Sequence, residues 1–248
     1  MKMMLGLAAM LVGLTSVASA DDAEVTAVLD RAIKALGGEA KLAKADVISW
    51  KNKGKLYLNG TPNEFEATST VKGLDRHRAE FKGNFGGQDV EVLAVLDGDK
   101  GWRKFDGQTQ GLSEQELSTE RQNLYLQVVT YNPLALKGKG FKVESKGEEK
   151  VDGKPASVLT ATGPDGKDFT LSFDKETGLP VKRTAKVVNF DGSTVDEVET
   201  FSDYKDYSGL KIPTKVASTR AGSKFVEAET TDFKVLDKAD ADSFSRPE

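Results

Sequence analysis

The chain contains no cysteine and one histidine. Without thiols there is no Cys-ligated zinc, iron–sulfur cluster, cysteine nucleophile, disulfide staple or lipid-modified N-terminal Cys. A zinc site built from His or Cys wants two or three such ligands, and His77 stands alone. A Ser–His–acid triad would have to use His77, and no G-x-S-x-G elbow presents a nucleophile to it. After the first twenty residues no stretch is apolar enough to cross a bilayer, which takes about 20 apolar residues. Lysines and arginines do not cluster into the footprint that nucleic acid or an anionic lipid surface requires.

The first twenty residues read as a secretory leader. Lys2 supplies the positive start, Met3 to Leu14 an apolar run, and Ala18-Ser19-Ala20 the small residues of a cleavage site before Asp21 and Asp22. A retained anchor helix is the alternative. Cleavage leaves residues 21–248 with no integral membrane segment, carrying 34 basic residues (Lys2 lost) against 39 acidic ones. No Pro/Ser/Gly-rich linker divides these 228 residues, and one continuous domain is the simpler organisation. The expected location is the periplasm or the exterior.

The mature chain opens on a helical period. Val25, Val28, Leu29, Ala32, Ile33 and Leu36 share one face, and Gly37-Gly38 stops the helix. From Val47 the period drops to 2: Ile48, Trp50, Asn52, Gly54, Leu56 and Leu58 alternate with Lys51, Lys53, Lys55 and Tyr57. Asn59-Gly60 makes a tight turn, and the rhythm repeats through about twelve strand candidates punctuated by turns such as Asp97-Gly98, Asp152-Gly153 and Ser208-Gly209. Short turns between consecutive strands indicate an up-and-down antiparallel sheet. One interruption, about 113–133, reads as a helix, with Ser113 and Glu116 at capping-box spacing and a Leu117/Leu124/Val128/Tyr131 stripe that Leu126 and Val129 widen. An insertion between two runs of strands is expected to lie across the sheet. The class is mainly β (α+β).

Three segments carry a resemblance: Ala35-Leu36-Gly37-Gly38 closing the first helix, Asp174-Lys175-Glu176-Thr177-Gly178-Leu179-Pro180-Val181, and Tyr207-Ser208-Gly209-Leu210-Lys211-Ile212-Pro213. With the long hairpin strands, they make the chain resemble the lipoprotein-sorting carriers of the bacterial envelope and their relatives, the LolA, LolB and RseB type. The resemblance implies a large, curved, unclosed antiparallel half-barrel with helices in its concave side as a lid. It also implies a lipid or an acylated protein as partner, or another envelope protein, without a cofactor.

The chemistry-bearing residues each have a plainer reading. His77, between Arg76 and Arg78, reads as packed or solvated. Asp237, Asp240 and Asp242 lack the central Gly and terminal Glu of a calcium loop. Carboxylates pair as Glu64 with Glu66, Asp196 with Glu197 and Glu199, and Glu227 with Glu229. Most of these lie at i, i+2 on a polar strand face, where solvated acids belong, and a glycosidase would need one of them buried. The aromatics remain. Trp50, Phe65, Phe81 and Trp102 fall on apolar faces with Leu56, Leu58, Val92, Ala94 and Leu96. These are either plain core or the lining of an apolar cavity beneath the Leu124/Val128/Tyr131 stripe. Asn52, Gly54, Ala67, Ser69 and Ala79 would leave room for the second reading. The functional expectation is non-covalent binding of an amphiphile, with the 113–131 helix gating the cavity; an envelope protein-interaction or sensor module is the alternative.

Overall fold

The alternation that begins at Val47 folds into a sheet far wider than most. The computed structural model describes residues 20–248, so the leader expected at 1–20 lies outside the described residues except for the backbone of Ala20. Two helices come first, α1 (Ala20–Leu36) and α2 (Glu39–Lys44). A meander follows: β1 (Val47–Leu58), β2 (Thr61–Lys72), β3 (Arg76–Phe85), β4 (Gln88–Asp97), β5 (Lys100–Phe105) and β6 (Gln108–Gly111). Helix α3 (Glu114–Tyr131) and a 3-10 turn (Pro133–Lys137) lead to a second meander. It comprises β7 (Lys142–Val151), β8 (Lys154–Thr162), β9 (Asp168–Asp174), β10 (Pro180–Val188), β11 (Thr194–Tyr207), β12 (Leu210–Arg220) and β13 (Ser223–Leu236). The turn glycines and asparagines behave as the sequence requires; Asn59 and Gly60 both take positive φ, at 50° and 80°.

All thirteen strands belong to one antiparallel sheet ordered β6-β5-β4-β3-β2-β1-β13-β12-β11-β10-β9-β8-β7. The two meanders join where β1 pairs β13, and the free edges are β6 and β7. Those edges flank α3 in the sequence, so the helical insertion is the crossing from one edge to the other.

Two adjacent residues of α3 show that the sheet must curl. Arg121 donates to the Gly98 carbonyl at the β4–β5 turn (3.1 Å), and Gln122 Nε2 donates to the Lys186 carbonyl on β10 (2.8 Å). In a flat sheet β4 and β10 would stand seven strand spacings, about 34 Å, apart. A helix with its side chains is only about 10–12 Å across. The curl is local at Gly54, where an added Cβ would fall 2.0 Å from the Glu227 carbonyl oxygen. A bulge between Lys51 and Asn52 adds twist at the same junction.

The concave face holds two apolar cores. In one, Val25, Val28, Leu29 and Ala32 of α1 meet Tyr125, Leu126 and Val129 of α3 over Leu159, Phe169, Leu171 and Phe173. In the other, Ile33 and Leu36 join Leu117, Leu124, Val128 and Tyr131 over Ile48, Trp50, Val71, Leu96 and Phe233. The stripe read from the sequence enters the second core and its widening residues, Leu126 and Val129, the first, so α3 drives into both cores and is buried on several sides. It is a wedge rather than a hinged flap, which leaves the expected gating without a free edge to move.

The three resemblance segments meet at the end of α1. Gly37 adopts φ 132°, and a Cβ there would strike the Gly209 carbonyl at 2.4 Å; Gly178 packs on Arg31 and Ala35. Arg31 also donates to the Lys175 carbonyl (3.2 Å). They dock α1 onto the rims of β9–β10 and β11–β12.

His77 faces this interior between Val71 and Leu96, buried, with Nε2 unpartnered. Burial pushes its pKa down to about 4. The folded protein keeps it neutral while the unfolded chain, with an ordinary value near 6.5, takes up a proton. Stability contributed by neutral His77 is present above pH 6.5 and is lost as pH falls towards 4. Urea unfolding at pH 7 and pH 4.5 should show the wild type losing about 2 kcal/mol more than His77→Leu over that interval. Equal losses in the two proteins would show that His77 is hydrated or paired.

Candidate functional site

Register decides which side chains share the hollow. Residues directly opposite on neighbouring strands lie on one face of a sheet. One row runs Phe233, Trp50, Ser69, Ala79, Ala94, Arg103; the next runs Thr230, Asn52, Ala67, Phe81, Val92, Phe105. A third runs Phe201, Val216, Ala228, Gly54, Phe65, Gly83, Val90. Small residues recur in each, so α3 cannot fill the space over them.

A chamber of about 320 Å³ results between α3 and strands β1, β2 and β10–β13. Ligand sites in proteins run from about 300 Å³ upward. One wall is apolar: Trp50, Phe65, Ala67, Phe201, Val216 and Phe225. The other carries charge. Arg183 donates from Nη1 to the Leu126 carbonyl (2.7 Å) and to Thr130 Oγ1 (3.2 Å), and its Nη2 pairs with Glu199 at 2.7 Å and Glu197 at 3.7 Å. Glu197 also accepts from Arg220 Nε at 2.8 Å. The Arg220 guanidinium lies 3.8 Å over the Phe225 ring. Burial pushes the Glu199 carboxyl above its usual range, against the pull of Arg183. Burial likewise raises the Tyr131 phenol, whose ring packs 5.3 Å from Trp50.

The expected site residues divide into four groups. Trp50, Phe65 and Tyr131 line the chamber. Leu124 and Val128 share a core with Trp50 and Tyr131, and Leu56 is buried on the β1 face beyond Gly54, with Leu58 half-buried further along. Phe81, Val92 and Ala94 sit half-buried on the same concave face, further out along the β3–β4 wing. There Phe81 stacks between Phe65 (5.3 Å) and Phe85 (6.1 Å).

Trp102 is a correction. It pairs with Val95, not with Ala94 or Leu96, and points out of the opposite face. Lys104 shares that outer face and bonds the Glu248 carbonyl, so the C-terminal segment runs across it, with Phe244 buried. The inward positions of β5 belong to Gly101, Arg103 and Phe105. Glu197 and Glu199 are a second correction: they stand on the inner face, paired to arginine, rather than on a solvated one. Arg183, Arg220, Phe201 and Val216 escape sequence reading because only the pairing of β10 through β13 brings them to Trp50. The alternation of Arg183 with Ala185 and Val187 was the available signal.

A more open hollow of about 900 Å³ on the outer side is lined mainly by alternating lysines and glutamates such as Lys53, Lys55, Glu64 and Glu66. Its solvated charges offer an amphiphile little. Among the described residues no group of three His, Cys, Asp or Glu is placed to hold a metal ion, and no helix is long and apolar enough to cross a membrane.

Removing one member of a buried charge network leaves the others unpaired, at a cost of about 3–5 kcal/mol. Arg183→Ala should lower unfolding stability by that amount. Replacing Arg183 by Met together with Glu197→Gln and Glu199→Gln should restore much of it. A loss below about 1 kcal/mol for Arg183→Ala would place the network in solvent.

No family model matches the sequence, and no curated protein matches it. Solved structures do match by shape. A LolA superfamily protein from Nitrosomonas europaea aligns at TM-score 0.60 and 14% identity, over 89% of this chain and 96% of that one. A DUF1329 family protein from Desulfovibrio piger aligns at 0.56 and 13%, over 89% and 97%. A putative outer membrane lipoprotein-sorting protein domain from Vibrio parahaemolyticus aligns at 0.53 and 13%, over 88% and 97%. At such identities the likeness is one of fold, and the chain has a LolA-like fold: an open, curled antiparallel half-barrel with helices in its concave side.

Proposed function

We propose that the protein is an exported binding protein of the bacterial envelope that carries an amphiphile, a lipid or an acylated protein segment, non-covalently in the chamber beneath α3. The observation that carries this reading is a hollow of about 320 Å³ left in the concave face between two filled cores. A cleft walled by Trp50, Phe65, Phe201 and Val216 offers an acyl chain apolar surface to bury, within the size range of ligand sites. Each buried methylene of a ligand would contribute about 0.8 kcal/mol. The half-exposed Phe65, Phe81 and Phe85 stack extends the apolar surface outward from the chamber and offers a path of entry.

The leader-like residues 1–20, followed by one continuous unit at 21–248, support export with cleavage. The lipoprotein-sorting description of the Vibrio domain agrees with the reading. In this account α3 positions the chamber and ligand passes along the β2–β3 wing. Binding, rather than turnover, is the activity.

The mature protein should bind the neutral fluorescent probe N-phenylnaphthylamine saturably, and lipid mass spectrometry of organic extracts should find a co-purified amphiphile. Ala67→Phe, which fills the chamber, should weaken probe binding at least tenfold with little change in melting temperature. Lys53→Ala, on the outer face, should leave it unchanged. Binding unaffected by Ala67→Phe, or absent from the wild type, would remove the proposal.

A further inference from the structure

The charged wall of the chamber closes on itself. Two guanidiniums face two carboxylates: Arg183 holds Glu199 (2.7 Å) and Glu197 (3.7 Å), and Arg220 holds Glu197 (2.8 Å). Arg183 also donates to the Leu126 carbonyl and to Thr130. Arg220 places its flat face on Phe225 and its Nη1 against Asn189 Oδ1 (3.3 Å). An anionic head group entering here would face Glu197 and Glu199, and each arginine on this wall already has its counter-charge. A cationic head would face Arg183 and Arg220 in the same way, so the wall offers no unpaired charge of either sign.

Uncharged polar groups with no partner border the same space. Ser69, Gln127 and Ser218 line the chamber, and their side chains make no hydrogen bond to another described residue. Ser218 is only 4% exposed and stands at the chamber wall. A hydroxyl and a carboxamide can each donate and accept. They suit a group that is itself neutral and hydrogen-bonding, and a site with buried polar groups discriminates against ligands that leave them unpaired.

We infer that the chamber selects an amphiphile whose polar portion is uncharged and hydrogen-bonding, an ester, amide or alcohol joined to an acyl chain, and rejects carboxylates and quaternary ammonium heads. Ser69, Gln127 and Ser218 read the polar group, and the Trp50/Phe65/Val216 wall takes the chain. The inference rests on the proposed carrier role and adds to it the chemical class of the ligand. An ester and an amide share this chemistry, the first coming from a glycerolipid and the second from an acylated peptide.

Four ligands with a twelve-carbon chain test it, each below its micellar concentration at neutral pH, by displacement of N-phenylnaphthylamine from the mature protein. They are glyceryl monododecanoate, N-dodecanoyl glycinamide, dodecanoate and dodecyltrimethylammonium. One or both of the neutral compounds should displace the probe at concentrations at least tenfold lower than either ion, and whichever is stronger identifies the source. Ser218→Val and, separately, Gln127→Leu should shrink that ratio to about threefold or less while probe affinity and melting temperature hold. Displacement by dodecanoate or the ammonium as strong as by the neutral compounds would overturn the inference. So would a ratio unchanged in both variants, or probe binding that none of the four displaces. Failure of the probe itself to bind is a separate result that removes the carrier reading beneath it.

Discussion

Arg183 is the constraint on which the arrangement of sheet and helix depends. Its side chain leaves β10, crosses the concave space and donates to the Leu126 carbonyl of α3, while its other nitrogen pairs with Glu199 and Glu197 on β11. A buried guanidinium is stable only if its donors find acceptors in the right geometry. Those acceptors come from a helix and from a neighbouring strand, so satisfying them fixes how far α3 can descend onto the sheet. A fully apolar contact would have no such stop, and the helix could settle until Ala67, Ser69 and Val216 were covered.

The rest follows from that spacing. The two apolar cores sit on either side of the polar seam, one beneath the α1–Tyr125–Val129 side and one beneath Leu124, Val128 and Tyr131. Leu74 and Ala135 pack against both. The seam between them is neither filled nor collapsed, and the chamber is what remains. A hollow in this position stays available without a large opening movement, because α3 is held from Arg103, which pairs with Glu116 and Glu120, to Arg183 near its end. Stability and binding then draw on different residues of the same face, which is why a chamber-filling change and a change in the charge network are expected to separate in their effects.

Much of the fold is legible in the sequence because antiparallel strands with one solvated face impose a period of 2, and positive-φ turns demand Gly, Asn or Asp. The Ile48–Leu58 alternation, the Asn59-Gly60 turn and the Ser113/Glu116 capping box are examples, the last with both of its reciprocal hydrogen bonds formed. β6 is not legible, since Gln108–Gly111 has no apolar residue and exists only by pairing with β5. The candidate site was half legible. Trp50, Phe65 and Tyr131 are large apolar side chains on readable faces. The orientation of Trp102 follows from the register of β5 on β4, which sets it opposite Val95. The DEVET stretch around Glu197 and Glu199 looks solvated until β10 and β12 bring Arg183 and Arg220 against it.

The most direct test of this account locates the ligand. Methyl-labelled mature protein titrated with N-phenylnaphthylamine should show chemical-shift changes centred on Ala67, Val216, Val226 and Ala228, which surround the chamber. Perturbations confined to methyls away from the chamber, or none at saturating probe, would contradict it.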